Sequence, residues 1–469
     1  MTPRTLDTIA RACEAELDAS AGSIVARGLC TDSRQIKVGD MFVALSGDRF
    51  DGHAYLAEVA ASGAVAGLVR RGWKGVGAPM PLLFVDDPRA ALGRFASSYR
   101  MEHDPSVIAV AGSNGKTTTK EFLGNLLAQA GETVWSEASL NNDIGVPLTL
   151  LRMDAGTRFL VSEVGTNHPG ELALLLRMVR PRTGILTSLG REHLEHFGSV
   201  EGVVEEEGWI AEVLPPDGLL VVNGDTPCVD RVISRTSAKV VKVGFGSSND
   251  WRLANYTCET DGARFRVEGP WEESSGDYRI LHVGRHQAVN AALALAVAAF
   301  EGMDRAAIQR GFLACSPAPM RLQVWRSGGI QILDDAYNAN EESMTAALET
   351  LGEMPVKTRR LAVLGDMAEL GEHSEAAHRA VGMQAARLGV NHLFAVGMMR
   401  GSLADGARSG GLSSVSEFGD VAEAASAVKA FVRAGDAVLI KASRASKLES
   451  VGKVLREFLR ANEVTRTGS

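Results

Sequence analysis

Ala111-Gly-Ser-Asn-Gly-Lys-Thr-Thr118 follows the apolar run Val107-Ile-Ala-Val-Ala111 and leads into helical spacing from Thr117 to Ala130. A buried strand, a glycine-rich turn and a helix, in that order, form a phosphate-binding unit of an α/β sheet. Backbone N–H groups of such a turn converge on phosphate oxygens, and the helix start adds the positive end of its dipole. Gly112, Ser113, Asn114, Gly115, Lys116, Thr117 and Thr118 are therefore the candidate phosphate contacts. Lys116 would reach the terminal phosphates, and the Thr117 hydroxyl could ligate Mg²⁺. The usual spacing has a glycine five residues before Gly115, where this chain has Val110, so the loop is a variant. ATP is the expected nucleotide. The loop alone would serve a GTPase, a kinase or a transport ATPase equally well, and an ordinary tight turn is the plain alternative.

Outward from the loop, strand candidates at Phe159–Val164, Gly184–Leu189, Leu219–Val222 and Val240–Phe245 alternate with helical stretches. That alternation predicts a doubly wound, mainly parallel sheet. A helix is expected from His286 to about Phe300. On the N-terminal side, short apolar runs split by polar turns predict a small α/β domain, and His103-Asp104-Pro105 interrupts the chain after it. On the C-terminal side, Ser316-Pro-Ala-Pro-Met320 reads as a linker. Beyond it, Ile330–Leu333, Leu361–Leu364, His392–Val396 and Asp436–Ile440 predict a Rossmann-like domain. The fold class is thus α/β in three domains, over residues 1–104, 105–316 and 317–469. A chain of 469 residues exceeds what one core usually supports, which agrees with that division.

Bulk properties narrow the function classes. The formal charge of −8 argues against a general nucleic-acid binder, since phosphate backbones demand cationic faces. A local basic pocket for a small anionic substrate remains compatible with it. Cys13, Cys30, Cys228, Cys258 and Cys315 are scattered without metal-ligand spacing, as expected of reduced thiols in a cytoplasmic protein. Met-Thr-Pro-Arg-Thr-Leu-Asp at the N-terminus lacks an apolar signal core, and no run approaches the length of a membrane span. A soluble, cytoplasmic monomer without membrane insertion is expected.

Three further segments follow the loop in order: Leu140-Asn-Asn-Asp-Ile-Gly-Val-Pro147, Glu163-Val-Gly-Thr-Asn-His-Pro-Gly170 and Gly190-Arg-Glu-His-Leu-Glu-His-Phe-Gly-Ser199. With the loop they resemble the Mur ligase family, which couples ATP hydrolysis to peptide-bond formation on UDP-N-acetylmuramic acid. Gly284-Arg-His-Gln-Ala-Val-Asn290 is similar to the family's adenine-side helix. Asp334-Asp-Ala-Tyr-Asn-Ala-Asn340 is similar to its nucleotide-contacting third-domain segment. That segment and Leu361-Ala-Val-Leu-Gly-Asp-Met-Ala-Glu-Leu-Gly371 resemble the branch that joins D-alanyl-D-alanine to UDP-MurNAc-tripeptide. Thr31-Asp-Ser-Arg34, Gly39-Asp-Met-Phe-Val-Ala-Leu45 and Phe50-Asp-Gly-His53 are similar to the family's UDP-sugar-binding domain. The resemblance implies phosphoryl transfer from ATP to a substrate carboxylate, then attack of an amine on the acyl phosphate. A diamino-acid-adding ligase, a folate polyglutamylation enzyme and a switch or transport ATPase are the competing readings.

By that resemblance Glu163, at the end of a predicted strand, is a Mg²⁺ ligand and His193 faces a second metal; a surface carboxylate and a structural or solvated histidine are the plain alternatives. Asn141 and Asn142 orient the metal shell or cap the turn before Ile144. His286 and Asn290 lie four apart on one helical face and would meet adenine, unless they cap and bridge helices. Arg321 resembles the family's phosphate-reaching arginine; Asp335 would hold ribose, and Asn338 would line the same seam. Lys441-Ala-Ser-Arg444 is similar to the family's Lys-Gly-Ser-Arg, placing Lys441, Ser443 and Arg444 with Asn338 on the amine-substrate side, or else at a solvated basic strand end. Asp32, Ser33 and Arg34 are candidate UDP contacts, with a capped turn as the alternative.

One departure concerns charge. About fourteen residues after His193 the family usually carries a lysine carbamylated by CO₂, and the matching position here is Glu207. Its carboxylate would supply negative charge without modification, though on a shorter side chain. The alternative is that Glu205-Glu-Glu207 is a solvated acidic helix turn. Glu341 and Ser139 also replace residues common in the family, a proline and an asparagine.

Overall fold

The computed structural model describes residues 1–47, 50–73 and 79–467, and three larger sheets organise them. The first has four parallel strands in the order Gly28–Cys30, Asp40–Val43, Ala66–Arg70 and Leu82–Val85.

The second has nine strands. Six run parallel in the order Thr133–Trp135, Phe159–Glu163, Ser106–Ala111, Thr183–Leu186, Leu219–Asn223 and Lys239–Gly244. Ser106–Ala111 lies inside, and the chain builds first to one side of it and then to the other. Its carboxyl end is therefore a topological switch point, where open α/β sheets bind ligands. The sequence reading has no element between Phe245 and His286. There the structure extends the sheet with Trp251–Cys258, then with Ala263–Glu268 and Gly276–Ile280 as antiparallel neighbours. These strands bury one face only: Ala263, Phe265 and Val267 are buried while Arg264, Arg266 and Glu268 are exposed. They alternate where the central strands are uniformly apolar.

Helix Arg285–Phe300 is apolar on all sides because it packs between this sheet and helix Lys116–Leu127, with Ala288 through Ala298 buried. The third sheet starts with Gln323–Ser327, antiparallel to Ile330–Asp335. Ala437–Lys441, Arg360–Leu364, His392–Val396 and Val415–Phe418 follow in parallel. Insertion of the last strand beside Ile330–Asp335 puts Asp335 and Lys441 in register.

The first and second sheets share a core. One apolar cluster runs from Leu6, Leu83 and Phe95 to Val107, Leu176 and Leu220. Helix Pro88–Arg100, started by Pro88 and capped by the Asp87 side chain, packs on helix Gly145–Leu150. The Tyr99 hydroxyl donates to the Met153 carbonyl at 2.6 Å across the same seam. Among the described residues, no helix is long and apolar enough to cross a membrane.

Candidate active site

A cavity of about 1080 Å³ opens at the carboxyl ends of the second and third sheets. Ser106–Ala111 leads into Gly112 at φ +119°, and Gly115 at φ +89° precedes the helix starting at Lys116. Neither position accommodates a side chain. A Cβ on Gly112 would lie 2.4 Å from Thr187 Oγ1, and one on Gly115 the same distance from Asn290 Oδ1.

The loop amides divide differently from expectation. Ser113 N–H donates to the Ser188 carbonyl and Asn114 N–H to Ser188 Oγ, both at 2.9 Å. Gly112 N–H faces Glu207, and Gly112 itself does not line the cavity. The amides of Ser113 and Asn114 are thus committed to the protein, because Ser188 packs directly under the turn. Free donors for phosphate come from the first helical turn, whose N–H groups lack intrahelical partners. Lys116, Thr117 and Thr118 line the cavity at that turn.

Lys116 Nζ donates to the carbonyls of Gly112 and Ser113 and lies 3.5 Å from Glu192 Oε2. Burial opposes its charge, but Glu192, Glu207 and Glu163 outweigh that and hold its pKa above the ordinary lysine value. Glu192 was missed in the sequence: it stands in a charged run, Arg191-Glu-His-Leu-Glu195, where nothing marks which acid turns inward.

The solvated-turn reading of Glu205-Glu-Glu207 fails for two of its three residues. Glu205 is exposed, but Glu206 and Glu207 are buried. Glu206 accepts from Thr166 Oγ1 and from the N–H groups of Gly170 and Leu172. Glu207 does not line the cavity; it sits behind Lys116 and Glu192, and neither of its oxygens has a well-formed hydrogen bond. Burial pushes its pKa up to about 8, with Lys116 opposing and Glu192 reinforcing the shift. Because the unfolded-state pKa is near 4.5, the folded chain holds this proton more tightly. Stability supplied by the protonated group is therefore lost as pH rises from about 4.5 to about 8. Glu207→Gln should unfold at a temperature higher than the parent by about 2 °C or more at pH 8.5, with little difference at pH 5. Equal melting shifts at both pH values would contradict this.

Glu163, ending strand Phe159–Glu163, is 1% exposed. Its Oε1 accepts from Thr117 Oγ1 at 3.1 Å and from Asn141 Nδ2 at 2.8 Å, while Oε2 is buried without a partner. A buried orphan carboxylate oxygen beside a hydroxyl is a hard oxygen donor set, which suits Mg²⁺. Among the described residues no three His, Cys, Asp or Glu side chains form a metal-holding group. Protein ligands would thus supply part of a Mg²⁺ shell, with phosphate oxygens and water completing it. Asn142 instead caps the turn that leads into helix Gly145–Leu150: its Oδ1 accepts from Ile144 N–H at 3.2 Å and Gly145 N–H at 2.9 Å. His193, in left-handed backbone at φ +47°, lines the cavity but pairs through Nδ1 with Glu369. Only its Nε2 is left for a ligand.

Arg321 donates to Ser139 Oγ at 3.0 Å and stacks 4.2 Å over the Tyr337 ring. At the other end, Asp335 and Lys441 pair at 2.6 Å, and Lys441 also donates to the Asn338 carbonyl at 2.8 Å. Lys441 is 2% exposed, so the solvated-strand-end reading does not hold for it. Asp335 Oδ1 accepts from Leu322 N–H at 3.0 Å. A carboxylate accepts about four hydrogen bonds, which leaves capacity for ribose hydroxyls. His286 faces this pair; burial pushes its pKa down to about 4, with Asp335 opposing, so its ring is neutral at pH 7. Asn290 accepts no cap role: its Nδ2 donates to Gln287 Oε1 at 3.0 Å, and its oxygen closes on Gly115. Asn340, which caps helix Glu341–Glu353, donates to Asn114 Oδ1 at 3.2 Å and ties the third sheet to the loop.

Several expected residues stay outside. Ser443 is buried, donating to the Ala339 carbonyl and accepting from Ala368 N–H. Arg444 is exposed and pairs with Glu449 at 2.9 Å. Neither lines the cavity, because the chain turns away after Lys441, and Lys441 and Asn338 group with Asp335 and His286. Asp32 caps the turn at Ser33 and chelates the Arg34 guanidinium at 2.8 and 2.9 Å. These three lie away from the cavity, and the capped turn they form is compatible with the UDP contact expected of them.

The sequence matches the Mur ligase family catalytic domain over residues 26–100, the Mur ligase middle domain over 110–298, and the Mur ligase glutamate ligase domain over 320–444. The chain belongs to the Mur ligase family. It is 35% identical to the UDP-N-acetylmuramoyl-tripeptide–D-alanyl-D-alanine ligase of Escherichia coli K12, covering 91% of this chain and 93% of that protein. Among solved structures, it resembles the UDP-N-acetylmuramoylalanyl-D-glutamyl-2,6-diaminopimelate–D-alanyl-D-alanyl ligase of Acinetobacter baumannii. The TM-score is 0.84 at 28% identity, covering 97% and 99% of the two chains. The MurF ligase of Thermotoga maritima in complex with ADP gives a TM-score of 0.81 at 26% identity, covering 93% and 99%.

Proposed function

We propose that this Mur ligase joins UDP-N-acetylmuramoyl-tripeptide to D-alanyl-D-alanine, consuming ATP. The observation that carries the reading is one cavity in which a strand-end carboxylate, Glu163, meets two cations from different sheets, Lys116 and Arg321. ATP would lie with its base toward His286 and Asn290 and its ribose at Asp335, with Asn338 along the seam. Lys116 and Arg321 would neutralise the transferring phosphoryl group, and positioning of this kind supplies most of the catalysis in phosphoryl transfer. Thr117, Glu163 and His193 would hold Mg²⁺, which when bound neutralises phosphate charge. The acceptor carboxylate attacks the γ-phosphorus and ADP leaves. The dipeptide amine then attacks the acyl carbon, phosphate departs, and the amine proton passes to solvent or a basic group. Residues 1–104 would hold the UDP end and residues 317–469 the dipeptide, around the ATP-binding residues 105–316. Five unpaired cysteines support a reducing, cytoplasmic location, and we take the working form as a monomer.

Phosphate release from ATP should require both UDP-N-acetylmuramoyl-tripeptide and D-alanyl-D-alanine, with a product heavier by one dipeptide. Release with a different amine would keep the family and change the branch; release indifferent to both would return a switch or transport ATPase to first place. With Glu207 in place of a modifiable lysine, the rate in CO₂-depleted buffer should equal that with bicarbonate. A loss of activity restored by bicarbonate would sink that expectation.

A further inference from the structure

Arg89 is the single residue from positions 1–104 that lines the cavity, among the described residues. It sits in the first turn of helix Pro88–Arg100, which is fixed to the central sheet through the shared core. Its guanidinium reaches Asp143 Oδ2 at 3.3 Å, its one polar partner among the described residues, and the side chain is 44% exposed. Five N–H donors in a planar fork are therefore met by one long contact. The other cations of the cavity are more committed. Lys441 is held by Asp335 at 2.6 Å, Lys116 is bonded to the loop carbonyls, and Arg321 is stacked on Tyr337.

The position of this spare cation is informative. Asp143 follows Asn141, which bonds Glu163, so Arg89 faces the cavity at the end away from His286 and Asp335. Asp143 and Glu163 lie on that side, and Glu171 also lines the cavity. An anionic chain entering beside these carboxylates is repelled by them and needs a cation to offset that repulsion. Resting on the function proposed above, the acceptor spans from the first sheet to the phosphate site and carries a peptide with carboxylates that do not react.

We propose that Arg89 binds a non-reacting carboxylate of the acceptor's peptide and so positions the reacting carboxylate at the phosphate site. Arg89 is a positioning and specificity residue: on acceptor binding it exchanges its long contact with Asp143 for a two-pronged carboxylate contact.

The test is calorimetric binding of UDP-N-acetylmuramoyl-tripeptide, together with separate KM values for acceptor and ATP. Arg89→Ala should weaken acceptor binding by about 10- to 100-fold and leave KM for ATP unchanged. Arg89→Lys should recover part of the loss, since it keeps charge without the fork. Asp143→Asn should leave acceptor binding unchanged or tighter. With an acceptor whose non-reacting peptide carboxylates are amidated, parent and Arg89→Ala should bind alike. An equal loss with that acceptor would assign Arg89 to the diphosphate and overturn the proposal. Loss in Asp143→Asn matching that in Arg89→Ala would reduce the pair to a strut between sheets and overturn it too. Parent protein that fails to bind the acceptor would instead sink the function; equal binding by parent and Arg89→Ala would sink this inference alone.

Discussion

Glu163→Gln should lower kcat by on the order of 10²- to 10³-fold while leaving the melting temperature unchanged or slightly higher. The replacement has the same shape but no charge. In the parent, one oxygen is fixed by Thr117 and Asn141 and the other is buried without a partner, so the protein bears the cost of burying an anion there. An amide removes that cost, which protects the fold. It also removes the hard anionic oxygen that would draw Mg²⁺ toward the Thr117 hydroxyl. Steady-state rates with saturating ATP and acceptor, at low and at high Mg²⁺, separate lost affinity from lost catalysis. A variant within tenfold of the parent would move the metal away from Glu163.

Lys441→Met should destabilise the chain by about 3 kcal/mol and weaken nucleotide binding with it. The ammonium is 2% exposed and is the charged partner of Asp335, which is itself 15% exposed. Methionine fills the space but leaves Asp335 with an unneutralised charge in a buried seam, and the Asn338 carbonyl without its donor. Adding Asp335→Asn should restore much of the stability, since the uncompensated charge disappears, but not the nucleotide affinity. Chemical denaturation of the two single variants and the double variant measures the coupling directly. Additive losses would mean that the pair does not act as a unit.

These two sites mark where sequence and structure part. Glu163 is legible from sequence because a strand end places it at the mouth of a parallel sheet and the family-like Gly-Thr-Asn-His-Pro-Gly after it singles it out from a surface carboxylate. Lys441 is legible only as a basic residue ending a strand. Its burial depends on which strand its own pairs with, and the register of Ala437–Lys441 with Ile330–Asp335 joins positions about a hundred residues apart. No local pattern carries that information.

The same division runs through the loop. Its glycines, its lysine and the helix behind it follow from local backbone requirements: φ above zero at Gly112 and Gly115, and apolar spacing after Lys116. That Ser188 takes two of its amides, and that Glu192 and Glu207 rather than Glu205 face Lys116, follows from packing of segments 75 to 95 residues downstream. Helix Val200–Glu207 presents three consecutive acids, and only its docking angle selects which are buried. By itself the sequence determined the α/β class, the phosphate loop and most strands of the two large sheets, because each rests on short-range periodicity and turn chemistry; the family followed from the resemblance of its ordered motifs. Tertiary structure decided the partners of the charges, the shared core of the first two sheets and the place of Arg89 at the cavity. Long-range pairing brings those groups together, and burial then fixes what each charge must do.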